Sequence, residues 1–321
     1  MQYRSFRDLA TLINRQAHRI NRMGADIVLG IPRSGMYPAL VMSSLLNKPV
    51  ADLDGFIAGH VMSHGKTRAL PGWSASAGDY RTALVVDDSV HSGAAASAAR
   101  KKLQAAFPEL KVIVLAVYGS KDWAHHVDDV LETCPFPRIF EWNMLHSWVL
   151  EKALFDLDGV FCRDPDDSEN DDGDRYRQFL RETQHFALPG GAVRGIVTSR
   201  LERYRPETEA WLADHGVKYR HLHMLDLPSA AERRRLGAHA KFKADVYRGD
   251  PDALLFVESE PAQAREITRR SGKPVLDYRN MVLASPDKIT PGYQYTKSSQ
   301  LLQRIRRALV RRVRIGRHAG A

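Results

Sequence analysis

At 321 residues, 44% hydrophobic and 26% charged, the chain has the make-up of a soluble globular protein long enough for two domains, each with its own core. Two cysteines, Cys134 and Cys162, give no disulfide framework and no metal spacing, which fits a reducing cytoplasm. The opening "MQYRSFRDLA" lacks the apolar centre of a signal peptide, and runs such as "VIVLAVY" from Val112 are too short to span a bilayer. The net charge of +9 sits at one end: residues 297–321 carry eight Lys and Arg and no acid, and taking those eight cations away leaves +1.

Residues 5–23 have the pattern of a helix. "ADIVLGIPRSGMYPALVMSSLL" then reads as a strand, a Gly/Pro loop and a helix, and "KPVADLDGF" as a second strand. Residues 60–80 are polar, Gly-rich and aperiodic, and a loop of that length inside a compact domain is usually functional. In "ALVVDDSVHSGAAASAARKK", residues 83–102, Leu84, Val85 and Val86 predict a buried parallel strand and 94–102 an alanine-rich helix. Asp87 and Asp88 stand at the carboxyl end of that strand, where open α/β sheets bind ligands. Ser89 to Ala95 turn into a helix N-terminus, whose free N–H groups and positive dipole end favour phosphate. Carboxylates beside an anion cradle suit a ligand bearing hydroxyls and phosphate, such as a ribose phosphate. "KVIVLAVYG" follows, and the order predicts βαβ units in a parallel sheet.

The second half opens on "KALFDLDGVFCRDP" from Lys152. Leu154 and Phe155 end a strand, and Asp156 and Asp158 alternate onto one side of its mouth, where two carboxylates can divide the work of nucleophile and general acid on a phosphoryl group. "DPDDSENDDGD" at 164–174 reads as a solvated acidic loop. "GIVTSR" places Thr198 at a strand end, where its hydroxyl can bind a phosphoryl oxygen, with Ser199 and Arg200 as adjoining substrate contacts. Lys243, or alternatively Lys241, offers a cation, and "LLFVESE" puts Glu258 and Glu260 at the end of a further strand. In the tail, Leu301, Leu302, Ile305, Leu309 and Val313 recur at helical spacing between arginines, the signature of a basic amphipathic helix on an anionic membrane surface. No aromatic residue interrupts residues 297–321 to stack on bases, which argues against nucleic acid.

"LVVDDSVHSGAA" resembles the phosphoribosyl pyrophosphate signature of type I phosphoribosyltransferases, and "GIPRSGMYPA" resembles the pyrophosphate loop of the same family, in the same order. The resemblance covers roughly residues 20–120. It implies that Asp87 and Asp88 hold the ribose hydroxyls and that His91, Ser92, Gly93, Ala94 and Ala95 wrap the 5-phosphate. Arg33, Ser34 and Gly35 would meet the pyrophosphate, with Mg²⁺ bridging it to the ribose. Ala94 and Ala95 stand where the family places threonines, so phosphate binding leans on backbone N–H groups. His91 occupies a position that carries an acid/base aspartate in purine members, and its imidazole could take a proton from an attacking hydroxyl.

"FDLDGV", with the later motifs in order, resembles the haloacid dehalogenase superfamily over about residues 152–280. That implies a Mg²⁺-dependent phosphatase in which Asp156 is the nucleophile, Asp158 the acid and base, Lys243 a charge partner, and Glu258 or Glu260 a metal ligand beside Asp156 and Asp158. Asp156 and Thr198 are too close in sequence for a large lid, so this site should be open. The expected fold is α/β, with a phosphoribosyltransferase-like domain over 1–150, a Rossmann-like phosphatase domain with minimal cap over 151–290, and a tail over 291–321. Since its motifs all lie beyond residue 150, the second half is expected to work on its own. The whole layout resembles dual-domain ribofuranosyltransferases of bacterial surface-polysaccharide assembly. That implies transfer of phosphoribosyl from phosphoribosyl pyrophosphate to a glycan, lipid-linked in that setting, then removal of the 5-phosphate, in the cytoplasm or at the inner face of the plasma membrane. Two alternatives are a nucleobase-type transferase fused to a nucleotidase, and a non-catalytic sensor of phosphoribosyl pyrophosphate.

Overall fold

The computed structural model describes residues 1–64, 72–122 and 125–288. The basic tail, the boundary at 291 and part of the 60–80 loop lie outside the described residues. β1 (Gln2–Arg4) leads into α1 (Phe6–Asn21), which begins at a capping box: Ser5 Oγ accepts the Asp8 N–H at 3.1 Å, and Asp8 Oδ2 accepts the Ser5 N–H at 2.8 Å. β2 (Ile27–Gly30), α2 (Met36–Leu46) and β3 (Val50–Asp52) follow. β3 is shorter than the sequence predicts, because Asp52 accepts the Gly55 N–H at 2.8 Å and so caps a short helix, α3 (Leu53–Ile57). β4 (Thr82–Val90), α4 (Ala94–Ala106), β5 (Lys111–Gly119), β6 (Asp129–Thr133) and β7 (Arg138–Phe140) complete the first half.

Strands β2 to β6 form one parallel sheet in the order β3-β2-β4-β5-β6. Its strands are apolar on both faces because helices cover both. Leu29 and Val85 pack with Ala96, Ala99 and Leu103 of α4, while Val28, Leu84 and Val86 pack with Leu9 and Ile13 of α1 and Met42 of α2.

Two 3-10 turns, Glu141–His146 and Trp148–Lys152, connect to β8 (Ala153–Phe155). Then come α5 (Asp174–Glu182), β9 (Val193–Leu201), α6 (Arg205–Asp214), β10 (Tyr219–Leu225), α7 (Ala230–Arg235) and α8 (Ala238–Gly249). β11 (Leu255–Glu258), α9 (Pro261–Ser271), β12 (Val275–Asp277) and β13 (Val282–Ala284) end the described fold, apart from a 3-10 turn at Pro286–Lys288. The second sheet has the order β10-β9-β8-β11-β12-β13, parallel except for the β12–β13 edge pair. The expected fold class holds: mostly parallel sheets flanked by helices. Between Asp156 and β9 the only α-helix is α5.

β1 has no counterpart in the sequence reading. It pairs in parallel with β7, Tyr3 opposite Ile139, and both residues join the apolar cluster that holds Leu255, Val257 and Leu276 of the second sheet. Among the described residues no helix is long and apolar enough to cross a membrane.

Candidate functional sites

In the first sheet the strand order reverses at β2, with β3 on one side and β4 on the other. A ligand crevice belongs at the carboxyl ends of β2 and β4. The two motif loops leave the sheet at those ends. The loop after β2 curls tightly against β4: the Ile31 N–H donates to Val86 O at 2.9 Å, and a Cβ on Gly35 would lie 2.5 Å from that same oxygen. Only glycine fits there, and the turn leaves Arg33 exposed and Ser34 half-buried. The Pro32–Arg33 peptide is cis.

Asp87 and Asp88 do not follow the strand, as the sequence predicts; they lie within it. Pairing with β2 stops at Val86, while pairing with β5 carries on through Asp87, Ser89 and Val90. The acids therefore stand on a strand whose β2 side has become free. Asp88 is buried and accepts the Trp142 indole N–H at 2.5 Å, and the Asp88 N–H donates to Asp87 Oδ1 at 2.9 Å. His91, Ser92, Ala94 and Ala95 are exposed, and no side chain caps α4. Gly93 has φ +71 and lies against His126, where a Cβ would approach to 2.5 Å. The His91 ring rests edge-on against Phe136 at 4.6 Å.

Burial, then the charge of Asp88, pushes the Asp87 carboxyl up to about 8, and burial also raises Asp88 against the pull of Trp142 and Arg138. The folded chain thus holds a proton that the unfolded chain releases near pH 4. Stability from this group is full below that pH and is lost as pH rises through about 8. The Asp87→Asn variant should therefore melt higher than the parent at pH 8.5 and converge with it toward pH 4.5. Equal melting differences at both pH values would contradict the assignment.

The second sheet reverses at β8, which lies between β9 and β11. Asp156 and Asp158 leave β8 at this switch point and Glu258 ends β11 beside them. Lys243, from α8, is 2% exposed and donates to Asp156 Oδ2 and Glu258 Oε2, both at 2.7 Å. Lys241 is exposed, so Lys243 is the cation of this cluster. Burial first and Glu258 second hold Asp156 well above the usual carboxylate range, against the pull of Lys243. Arg200 is 1% exposed and grips Asp158, its Nη2 2.6 Å from Oδ1 and its Nε 3.0 Å from Oδ2. This arginine, expected at the substrate, is committed to an acid instead. β9 runs past Thr198, which is buried and accepts the Arg200 N–H at 3.2 Å, while Ser199 Oγ is buried without a partner.

The four candidate metal ligands are not brought together as a set. Among the described residues no group of three or more His, Cys, Asp or Glu side chains is placed to hold a metal. Glu260 stands at the N-cap position of α9 without a side-chain capping bond and leans toward Arg279 at 3.6 Å, whereas Glu258 is fully buried. The donor chemistry nevertheless suits a hard divalent cation: Asp156 and Glu258 offer buried carboxylate oxygens, and one ammonium leaves Asp156 short of positive charge.

Three residues of these sites were not singled out by sequence. Trp142 and Asn143 come from the connecting turn; Asn143 Oδ1 is 3.5 Å from Ser34 Oγ. Asp164, read as part of a solvated loop, lies over Gly159, where a Cβ would approach its Oδ2 to 3.2 Å. Gly159 has φ +79, and a Cβ there would also collide with Ser259 Oγ. The sequence signal for Asp164 was its nearness to the D-x-D motif, not its charge.

No family model matches the chain, and no curated protein matches it. Solved structures do. A Helicobacter pylori xanthine-guanine-hypoxanthine phosphoribosyltransferase shares 17% identity, over 44% of this chain and 91% of that chain, with a TM-score of 0.33. A purine phosphoribosyltransferase from Pyrococcus horikoshii shares 13%, over 44% and 92%, with a TM-score of 0.32. An orotate phosphoribosyltransferase from Aeropyrum pernix shares 14%, over 39% and 68%, with a TM-score of 0.27.

Proposed function

We propose that the chain is a two-step ribofuranosyltransferase: it transfers 5-phosphoribosyl from phosphoribosyl pyrophosphate to a glycan, then removes the 5-phosphate. The observation that carries this reading is the presence of two strand-order reversals in one chain, each with its own acids at the strand ends, Asp88 buried in the first and Asp156 and Glu258 in the second. A single-step enzyme needs one. In the first step an acceptor hydroxyl attacks C1 of the donor, pyrophosphate leaves, and His91 takes the hydroxyl proton. Asp87 and Asp88 accept the ribose hydroxyls, the backbone from His91 to Ala95 receives the 5-phosphate at the start of α4, and Arg33, Ser34 and Gly35 receive the pyrophosphate.

In the second step Asp156 attacks phosphorus to form an aspartyl-phosphate, and Asp158, oriented by Arg200, protonates the departing 5-oxygen. Asp158 then takes a proton from the water that releases phosphate. Lys243 offsets charge on Asp156, and the Thr198 hydroxyl meets a phosphoryl oxygen. Mg²⁺, held by Asp156 and Glu258, would supply charge neutralisation for the phosphoryl group. The short β8–β9 connection supports a bulky substrate, and the basic tail supports a lipid-linked one at a membrane surface.

The test is an assay of pyrophosphate and phosphate with Mg²⁺, donor and one of three additions: an oligosaccharide mixture, nucleobases, or nothing. Glycan-dependent pyrophosphate release with matching phosphate is expected. Release that depends on a nucleobase instead would overturn the reading.

A further inference from the structure

A groove of about 720 Å³ separates α1 from the turn between β12 and β13. It does not belong to either acid cluster, yet it points to both. At one end Glu141 precedes Trp142, the donor to Asp88. At the other, Arg279 reaches Glu260 beside the second cluster at 3.6 Å.

The groove is lined by Tyr3 and Tyr118, which are 7% and 0% exposed, and both phenolic oxygens are buried without a hydrogen-bond partner. Buried hydroxyls without partners are rare and call for an explanation. Burial pushes both phenols up, so each remains a donor at neutral pH. Arg7, Thr11 and Arg15 also line the groove and recur every fourth residue on α1, a stripe about 12 Å long. The acids nearby are already engaged. Glu132 holds Arg4, Asp8 closes the capping box, and Glu141 accepts the Phe6 N–H at 2.8 Å. Arg7 and Arg15 have no hydrogen-bond or ion-pair partner among the described residues. Unengaged cations and unengaged hydroxyl donors in one groove call for a ligand with both anionic and hydroxyl groups.

We propose that this groove binds the acceptor and that the acceptor is an acidic oligosaccharide, its anionic groups met by Arg7 and Arg15 and its hydroxyls by Tyr3 and Tyr118. The identification as acceptor rests on the function proposed above; the binding does not. The full chain is titrated calorimetrically with a galacturonic acid hexamer, with maltohexaose and with hexaglutamate. Saturable binding of the acidic sugar is expected, tighter than that of either control. Arg7→Gln/Arg15→Gln and Tyr3→Phe/Tyr118→Phe should each weaken it by about tenfold or more. Because the two hydroxyls hold nothing in the free chain, the Phe variant should melt no lower than the parent, which separates lost binding from lost folding. Binding that ignores both variants, or hexaglutamate binding equal to that of the acidic sugar, would overturn the groove assignment. Pyrophosphate release and p-nitrophenyl phosphate hydrolysis by the unaltered chain are measured alongside. Both activities without variant-sensitive sugar binding refute the groove alone, and sugar binding without either activity refutes the two-step function alone.

Discussion

If the proposed second step runs through Asp156, replacing it with Asn is expected to lower phosphate release by on the order of a thousandfold or more, because the attacking carboxylate becomes a neutral amide. Pyrophosphate release should stay within about twofold, since the first acid cluster lies on a different sheet. The amide keeps the carboxylate's size, and Lys243 keeps Glu258 as a partner. The variant should therefore fold and accumulate phosphoribosylated acceptor, visible as a mass increase of one phosphoribosyl unit, from which the unaltered chain then removes only the phosphate. A parallel fall in both products would mean that the two acid clusters do not work separately.

The second large effect concerns Lys243. Its ammonium is the only cation placed between Asp156 and Glu258 among the described residues, and all three groups are buried. Lys243→Met keeps the unbranched stem, one atom shorter and without the charge, and leaves two buried carboxylates facing each other. Removing one partner from a buried ion pair costs about 3–5 kcal/mol. Urea unfolding of Lys243→Met should show a loss of this order at pH 7.5. Adding Glu258→Gln should recover part of it, because one of the two unpaired charges disappears. A loss below about 1 kcal/mol, typical of an exposed pair, would show that the cluster is not held by Lys243.

The placement of the motif acids was legible in the sequence wherever the strand and the acid are neighbours in the chain. Apolar runs located β2, β4, β8 and β11, and the acids following β8 and ending β11 fell at the switch point. Less legible was anything decided by long-range pairing. β4 extends through Asp87 and Asp88 because β5 supplies partners there, and no local signal in "VVDDSV" reports that. Thr198 likewise lies inside β9 because β10 continues beside it, through an irregular register near His223. Arg200 looked like a substrate contact because it follows Thr198, yet its turn inward depends on Asp158 from another strand. The choice of Lys243 over Lys241 was open for the same reason: two residues apart on α8 they take different faces, and only the packing of α8 on the sheet decides which is buried.

The pairing of β1 with β7 has a consequence for anyone dividing this chain. A fragment starting at residue 151 would lack Tyr3, Ile139, Met144, Val149 and Leu150, all packed in the cluster that contains Leu255, Val257 and Leu276. The second half is thus completed by residues from the opposite end of the polypeptide, and a cut at the motif boundary opens its interior. Separate production needs a break nearer residue 137, with the first few residues supplied as a peptide or fused back through a linker.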